Sequence, residues 1–314
     1  MRVTIAICTW NRSALLKQTL EGMCRLRPPS GVQWELIVVD NNSTDNTAET
    51  IGGFAGRLPL RRVFEPNPGH SNARNRAMVE AKGDLLIWTD DDVLVDAGWL
   101  DEYVAASLRW PDAGFFGGPI VPWFEVEPPA WIRANVGILA GPFVSLDLRS
   151  PERALLPPEI PYGANMAFRR SAFAGRDFDP NLGLRPGGAI RNDETEYCRR
   201  LIRQGVYGVW VPKASVRHFV VAERLTLGFL RTYFEGSGRT QVRIEGLNEA
   251  PTLFGAPRWL YKQHYAALMR SLWLRVRRDS RWLEAYLDAA RARGVILEHR
   301  AWRSGNAAPA FTAH

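Results

Sequence analysis

Cysteine is scarce in this sequence, and that scarcity limits the class of protein it can encode. The chain of 314 residues has three cysteines, at positions 8, 24 and 198. No two of them have the C-x-x-C spacing of zinc or redox motifs, and an odd, widely spaced set does not suit a disulfide framework. We therefore exclude a disulfide-stapled secreted scaffold and expect a reducing compartment.

Long apolar runs are also missing. No stretch approaches the roughly 18 uninterrupted apolar residues that a membrane-spanning helix needs. The N-terminal sequence MRVTIAICTW has only a short apolar run, and no small-residue cleavage site follows it. We expect a cytoplasmic protein without a membrane span.

The excess of positive charge is confined to one segment. The net charge is +7, and residues 258–303 contain eleven Lys and Arg but four Asp and Glu. Tryptophans interleave with these cations, which allows two interpretations: an amphipathic basic helix on an anionic membrane surface, or a helical pair with tryptophan in the core and arginine in solvent. No recognised nucleic-acid motif occurs here, so we expect no nucleic-acid partner.

The spacing of apolar residues alternates along the first hundred residues. Strands are predicted at Val3–Cys8, Trp34–Val39, Leu60–Phe64 and Leu85–Thr89, and helices at Ser13–Leu26, Asp45–Phe54 and Asn72–Ala81. This alternation predicts an α/β fold, with a Rossmann-like, mostly parallel sheet flanked by helices.

The pattern is less regular after residue 118. Residues 119–161 are rich in Pro and Trp and predict a loop-rich insertion. Beyond it, strands are predicted at Tyr162–Arg169, Val206–Val211 and Ala214–Val220, and helices at Asp193–Gln204, 225–240 and 258–290. The sequence Gly236-Ser237-Gly238 is expected to end the helix that begins near residue 225.

Three consecutive carboxylates, Asp90, Asp91 and Asp92, directly follow the fourth predicted strand. Ligands of parallel sheets bind beyond the carboxyl ends of the strands, and polar clusters at 9–12 and 40–45 also follow strands. Because clustered carboxylates repel one another, a hard cation such as Mg²⁺ or Mn²⁺, shared with a diphosphate, is the natural partner. The alternative is a solvated acidic turn before the helix that begins near Ala97.

An ordered set of motifs favours the first interpretation. The chain contains ICTWNRSALLKQTL near the N-terminus, VVDNNSTDNT at 38–47, NPGHSNARNRAM at 67–78, LLIWTDDDV before Trp99, GANMAFRRSAF at 163–173, FDPNLG at 178–183 and NDETEYCRRL at 192–201. In content and order these segments resemble the family 2 glycosyltransferases, which have the GT-A fold. The resemblance implies an inverting, nucleotide-sugar-dependent transferase that uses a divalent metal, Mn²⁺ or Mg²⁺.

The resemblance also implies a division of the chain. A GT-A catalytic domain would span 1–240, with a nucleotide-binding half at 1–118 and an acceptor half at 119–240. A basic amphipathic helical extension would follow at 241–303, and a disordered tail at 304–314.

The resemblance assigns the donor side of the site to matching positions. Asp40 matches the carboxylate that binds the nucleotide base; an Asx-turn with Ser43 is the alternative for this residue. Arg74 matches a residue that meets the nucleotide, and Thr9 and Arg12 line the same crevice. Nucleotide- and metal-binding positions of the DXD motif fall on the triplet. In it Asp90 and Asp92 would bind the metal, Asp90 and Asp91 would also meet the donor, and His218 would be a further ligand.

The resemblance places the catalytic base on the helix predicted from Asp193. The family has Glu-Asp there, with the second acid as base, whereas this chain has Asp193 followed by Glu194. Glu194 is therefore the first choice and Asp193 the second. The implied reaction is a single displacement in which the base removes the acceptor proton. Acids in the first turn also suit the helix dipole, which is the structural alternative.

Two other classes of protein remain open. A sugar nucleotidylyltransferase should have a glycine-rich N-terminal loop, but residues 8–13 read CTWNRS. In a non-catalytic nucleotide-binding, membrane-associated protein, the acids at 193–194 would only cap a helix. The resemblance favours a UDP-sugar donor and a saccharide or lipid-linked acceptor, in cell-surface polysaccharide or glycolipid biosynthesis, peripheral to the inner face of the membrane.

Overall fold

A computed structural model describes residues 1–188, 190–248 and 250–305 of the chain. Two compact units interleave along the sequence. Unit 1 comprises residues 1–123, 144–180 and 193–219, and unit 2 comprises residues 124–143, 181–192 and those from 220 onward. The functional division at residues 240 and 303 stays a prediction. Most of the expected disordered tail, 306–314, lies outside the described residues.

Unit 1 contains most of the strands. Its strands are β1 (Arg2–Thr9), β2 (Gln33–Asp40), β3 (Leu60–Phe64), β4 (Leu85–Asp90), β5 (Val93–Val95), β6 (Phe115–Gly117), β7 (Ile120–Phe124), β8 (Arg153–Ala154), β9 (Asn165–Arg169), β10 (Gly208–Trp210) and β11 (Val216–Val220). Its helices are α1 (Ser13–Met23), α2 (Thr47–Gly52), α3 (His70–Glu80), α4 (Trp99–Arg109), α6 (Arg170–Phe173) and α7 (Asp193–Arg203).

The central sheet has eight strands in the order β3-β2-β1-β4-β9-β6-β10-β8. The first four strands are parallel to one another, and β9 runs antiparallel to both of its neighbours. A second sheet has the order β5-β11-β7. The predicted α/β class and the mostly parallel, helix-flanked sheet are therefore confirmed.

The middle strands are buried on both faces, which explains why their sequences are continuous apolar runs rather than alternating ones. Successive side chains point to opposite faces. One face packs against residues of α1 and α4, through Ile5, Ile7, Leu36, Val38 and Ile87. The other packs against residues of α3 and α7, through Ala6, Ile37, Val39, Leu86 and Trp88. Burial of one large apolar side chain stabilises the fold by about 1.5–3 kcal/mol.

Unit 2 is mainly helical. It contains α5 (Ala130–Arg133), a 3-10 turn at Ala222–Leu225, α8 (Leu227–Glu245), a hairpin of β12 (Thr252–Leu253) and β13 (Ala256–Pro257), α9 (Arg258–Val276) and α10 (Trp282–Arg303). Helices α8 and α10 approach closely, because a Cβ atom on Gly238 would lie 2.1 Å from the Arg291 carbonyl oxygen, and one on Gly294 would lie 1.9 Å from that of Glu235. Glu298 is fully buried and accepts hydrogen bonds from Arg239 and Arg243, each at 2.7 Å.

Two sequence-based predictions about local structure are wrong. Gly236 and Gly238 do not end a helix but lie inside α8, where helix packing requires small residues. The predicted single helix at 258–290 is two helices, α9 and α10, separated by a turn. The segment 119–161 is mostly irregular, as expected, but it also contains β7, α5 and β8, which are too short to produce a visible period.

Candidate active site

The candidate site lies at the carboxyl ends of the parallel strands of unit 1. In the sheet register Thr9 at the end of β1 is opposite Asp40 at the end of β2, and Cys8 is opposite Asp90 at the end of β4. The three strand ends therefore bring the predicted donor-side residues to one edge of the sheet, where open α/β sheets bind ligands.

The loops beyond these strand ends are fixed by asparagine and serine side chains. Asn11 has a left-handed φ of 51°, and its side-chain oxygen accepts a hydrogen bond from the Thr44 amide at 2.7 Å. In return the Ser43 hydroxyl accepts from the Asn11 amide at 3.0 Å, and Asp45 accepts from the Ser13 amide at 3.0 Å. The β1–α1 and β2–α2 loops thus support each other as one rim of the crevice.

The acidic triplet is held from two sides. Asp91 accepts hydrogen bonds from the Thr9 hydroxyl at 2.7 Å and from Arg12 Nη1 at 2.6 Å. The same Arg12 nitrogen lies 3.0 Å from Asp92. Asp92 also lies 3.4 Å from His218 Nε2, because the antiparallel pairing of β5 with β11 places His218 beside the triplet. The sequence-predicted residues Thr9, Arg12, Asp91, Asp92 and His218 therefore form one cluster.

The carboxylates of the triplet carry more negative charge than their neighbours neutralise. Burial, and after it the charge of Asp92, raise the pKa of Asp90 to about 7 against the opposing effect of Arg74. Burial likewise raises the pKa of Asp91 to about 6, although Arg12 and Thr9 oppose the rise. A cation that joined this cluster would restore the ionised form of both groups.

The donor set fits a hard divalent cation only in part. Carboxylate oxygens of Asp90 and Asp92 and the imidazole of His218 are ligands that Mn²⁺ accepts. Within the described ranges, however, no three His, Cys, Asp or Glu side chains are grouped so that they could hold an ion by themselves. This is the pattern of Mg²⁺ and Mn²⁺ sites in which one or two carboxylates bind the ion and substrate phosphates and water complete its shell.

Asp40 makes the Asx-turn that the sequence left as an alternative. It accepts a hydrogen bond from the Ser43 amide at 3.0 Å. It also forms an ion pair with Arg62, whose Nη2 lies 2.6 Å from its carboxylate. The side chain is buried, at 1% exposure. Arg62 was not found from the sequence, since a strand arginine has no motif around it. The contact of Asp40 with a nucleotide base stays a prediction.

Arg74 pairs with the acids of α7. Its Nη1 lies 2.9 Å from Asp193 and 3.6 Å from Glu194. Its guanidinium also stacks near the rings of Trp88 and Phe178, at 5.9 and 5.3 Å. Arg74 is thus a buried cation between two acids and two aromatic rings, and its predicted contact with the nucleotide stays a prediction.

Gly163 makes room for this guanidinium. A Cβ atom at Gly163 would lie 1.8 Å from Arg74 Nη2 and 2.9 Å from its Cζ. The glycine of the GANMAF motif therefore has a physical reason, which the sequence alone did not provide.

The two candidate base residues differ in charge state. Burial, and after it the charge of Asp193, raise the pKa of Glu194 to about 7 against the opposing effect of Arg74. Burial would also raise the pKa of Asp193, but Arg74 and then His70 outweigh it and lower that pKa. Asp193 is therefore the ionised partner of Arg74, while Glu194 titrates near neutrality, as a general base should.

Asn165 organises the wall of the site and was missed as a separate residue. Its side-chain oxygen accepts from Trp99 Nε1 and Tyr103 OH, each at 2.8 Å. Its amide nitrogen donates to the carbonyls of Pro119 and Ala214 at 2.9 and 2.7 Å. All four contacts are buried, so an Asn inside an apolar strand motif was the signal that could have revealed this role.

Two further asparagines position segments that the motifs marked only as a group. Asn41 donates to the carbonyls of Glu65 and Asn67 and accepts from the Gly69 amide at 2.8 Å, which fixes the start of α3. Asn75 binds both the amide and the carbonyl of Phe178, at 2.7 and 2.9 Å.

Carboxylates at the strand ends of a mostly parallel, helix-flanked sheet are arranged as in α/β enzymes that bind ligands at that edge. The family model described as glycosyl transferase family 2 matches residues 4–175, more than half of the chain. The chain therefore belongs to glycosyl transferase family 2, and it is a glycosyltransferase.

Similar proteins agree with this family. The chain is 27% identical over 251 residues to the succinoglycan biosynthesis protein ExoM of Rhizobium meliloti, covering 78% of the chain and 75% of that protein. It is 24% identical over 245 residues to a glucosyl-dolichyl phosphate glucuronosyltransferase of Haloferax volcanii, covering 75% of each. Among solved structures, the mannosyltransferase PcManGT of Pyrobaculum calidifontis, in complex with GDP-Man and Mn²⁺, has a TM-score of 0.54 at 21% identity, covering 98% of the chain and 76% of that protein. This last likeness concerns the fold alone, which is GT-A.

Proposed function

We propose that this enzyme transfers a sugar, with inversion at the anomeric carbon, from a nucleoside diphosphate sugar to an acceptor hydroxyl. The observation that carries the proposal is the pair of buried Asp193 and partly buried Glu194 beside Arg74, in the same unit as the acidic triplet. The charge of Arg74 acts on Asp90 as well as on both acids, which supports a site in which donor and acceptor groups act together.

Glu194 is the proposed base. Its pKa of about 7 leaves it able to accept a proton near neutral pH while still being about half ionised. It removes the proton of the acceptor hydroxyl as the acceptor oxygen bonds to the anomeric carbon and the bond to the diphosphate oxygen breaks. Attack from the face opposite the leaving group inverts the configuration.

Asp193 has a positioning role in this proposal. It forms the shorter ion pair with Arg74, at 2.9 Å, and keeps the guanidinium beside Glu194. The lowered pKa of Asp193 suits a residue that stays ionised through the reaction.

The donor side follows from the triplet. Asp90, Asp92 and His218 would hold a divalent cation, Mn²⁺ or Mg²⁺, which neutralises charge on the departing diphosphate. Thr9 and Arg12 hold Asp91 and so fix the direction of the triplet. Asp40, at the end of β2, would meet the base of the nucleotide.

Uridine is favoured as the base by resemblance. The Pyrobaculum neighbour was solved with GDP-Man, so a guanine nucleotide is the competing choice. The acceptor is proposed to be a saccharide or a lipid-linked sugar of cell-surface polysaccharide or glycolipid biosynthesis, because the relatives include a succinoglycan biosynthesis protein and a dolichyl phosphate-dependent transferase.

A lipid-linked acceptor would place the enzyme at the cytoplasmic face of a membrane, as a peripheral protein. Among the helices of the described residues, none has the length and hydrophobicity that a bilayer span requires.

A screen of nucleotide sugars tests the donor proposal. Thermal unfolding is followed with UDP- and GDP-sugars, each with Mn²⁺ or with a chelator. A donor at about 100 times its Kd stabilises the fold by about 2.7 kcal/mol, so the midpoint should rise with Mn²⁺ and not with the chelator. If no nucleotide sugar raises the midpoint in either condition, the proposed donor site is wrong.

A further inference from the structure

Helix α9 has apolar side chains on both of its sides, and the described part of the chain covers one of them. On the inner side Leu260 and Leu274 are buried. There the Ser271 hydroxyl donates to the Trp282 carbonyl at 2.9 Å, and His264 Nδ1 lies 2.9 Å from the Ala289 carbonyl. Residues at the start of and inside α10 therefore cover this side.

The outer side of α9 carries an apolar strip. We define the strip by its five members: Tyr265, Met269, Leu272, Trp273 and Val276. They recur at spacings of three and four, which places them along one side of the helix over about 16 Å. They are between 53% and 85% exposed. A helix that is apolar all round is normally buried, so the strip calls for an occupant.

Positive charge surrounds the strip. Residues 258–278 contain Arg258, Lys262, Arg270, Arg275, Arg277 and Arg278 and no Asp or Glu. Arg277 lies over the ring of Trp273, with its Cζ 4.1 Å from the ring centroid. Exposed apolar residues with a tryptophan, bordered mainly by arginine and lysine although Asp279 and Asp288 interact with Arg270, complement a surface that is apolar below and anionic above.

We infer that the outer side of α9 docks on an anionic lipid bilayer, with the strip among the acyl chains and the cations at the headgroups. Long arginine and lysine side chains can bury their stems while their charges stay at headgroup level. Docking needs neither donor nor acceptor, so it can be tested apart from transfer. Only its biological purpose, access to a lipid-linked acceptor, rests on the proposed function. In this inference α9 is the helix that contacts the bilayer, and α10 is the helix that packs against α9.

Vesicle sedimentation of the full-length protein tests the inference. One set of vesicles is phosphatidylcholine alone, and in the other part of it is replaced by phosphatidylglycerol. We expect binding to the anionic vesicles, weaker binding to the neutral ones, and a decrease with added salt because exposed charges are screened. Equal binding to both sets, or no binding to either, overturns the inference.

Two variants probe the two components of docking. Met269→Ser with Leu272→Ser should reduce the partition coefficient at least about tenfold, since apolar burial drives insertion. The matched control is Val79→Ser with Leu108→Ser, two exposed apolar residues of unit 1, which should leave binding unchanged. If both pairs reduce binding equally, the strip is not the docking surface.

The charge variant Lys262→Gln with Arg270→Gln should reduce binding roughly 25-fold, about fivefold for each cation near the surface. Its control is Lys17→Gln with Arg25→Gln, two exposed cations elsewhere. Because these substitutions change only exposed side chains, they test docking even if the serine variant fails to fold.

Sedimentation velocity without vesicles tests whether the strip instead joins two copies of the chain. A stable dimer that the serine variant abolishes would make the strip a contact between copies and overturn lipid docking. Loss of glycosyl transfer with intact vesicle binding would instead concern the proposed function alone.

Discussion

Gly163→Ala tests the central electrostatic feature of the site, the buried Arg74 between Asp193 and Glu194. The new methyl group would lie 1.8 Å from Arg74 Nη2, so the guanidinium must move. It cannot move freely, because Arg74 is only 2% exposed. The backbone itself accepts alanine, since Gly163 does not have a left-handed φ.

The size of the effect follows from the two ion pairs. At an effective dielectric constant near 20, the attraction is about 6 kcal/mol at the 2.9 Å of Asp193 and about 5 kcal/mol at the 3.6 Å of Glu194. Desolvation offsets much of this, and breaking one buried pair costs about 3–5 kcal/mol in practice. We therefore expect the free energy of unfolding to fall by about 3–5 kcal/mol.

Urea denaturation followed by tryptophan fluorescence measures this loss. Gly98→Ala is the matched control, because Gly98 has a φ of −90° and no heavy atom lies within 4 Å of its built Cβ. A double-mutant cycle with Arg74→Met sharpens the test: once the guanidinium is gone, Gly163→Ala should cost less than about 1 kcal/mol more. The reasoning is refuted if Gly163→Ala is as stable as Gly98→Ala.

Three further predictions concern pH, metal and unit 2. Transfer by the metal-loaded enzyme should rise about tenfold in kcat/KM from pH 6 to pH 8, because Glu194, with its pKa raised to about 7, must lose its proton to act as base; a flat profile would count against it. Asp92→Asn should weaken Mn²⁺-dependent donor binding more than about tenfold by calorimetry, whereas Asp96→Asn, four residues on and exposed, should not. Glu298→Gln should lower the free energy of unfolding by about 3–5 kcal/mol, because two arginines lose their shared buried partner; Glu245→Gln, on the surface, serves as its control.

The parallel half of the sheet could be predicted because β1, β2 and β4 are apolar runs buried in the sheet, while helices α1 and α4 each have one buried apolar side. These two kinds of burial give strands and helices different spacings of apolar residues, from which β1 to β4 could be predicted. The short strands between residues 119 and 154 show no recognisable spacing of apolar residues, since two to five residues are too few to establish one. The break between α9 and α10 could not be predicted for another reason: both helices are rich in the same residue types.

The site shows a similar division. Motif order predicted one site from the triplet, His218 and the acids of α7, and the structure has all of them in unit 1. It did not predict the ion pairs. These join residues far apart in sequence: Arg74 with Asp193, Arg62 with Asp40, and Arg12 with Asp91. Such pairings depend on side-chain direction and on space, as Gly163 illustrates, and neither is visible in a linear pattern.

Glu194→Gln is the most direct test of the proposed mechanism. The variant keeps the size of the side chain and removes its basicity, so transfer should fall about 10²–10⁴-fold. Donor affinity, measured by calorimetry with Mn²⁺, should stay within about twofold, because no donor contact is assigned to Glu194. Glu196→Gln, which loses only the pair with Arg200, should retain full transfer. If Glu194→Gln transfers sugar at the rate of the unaltered enzyme, Glu194 is not the base and the account of this site is wrong.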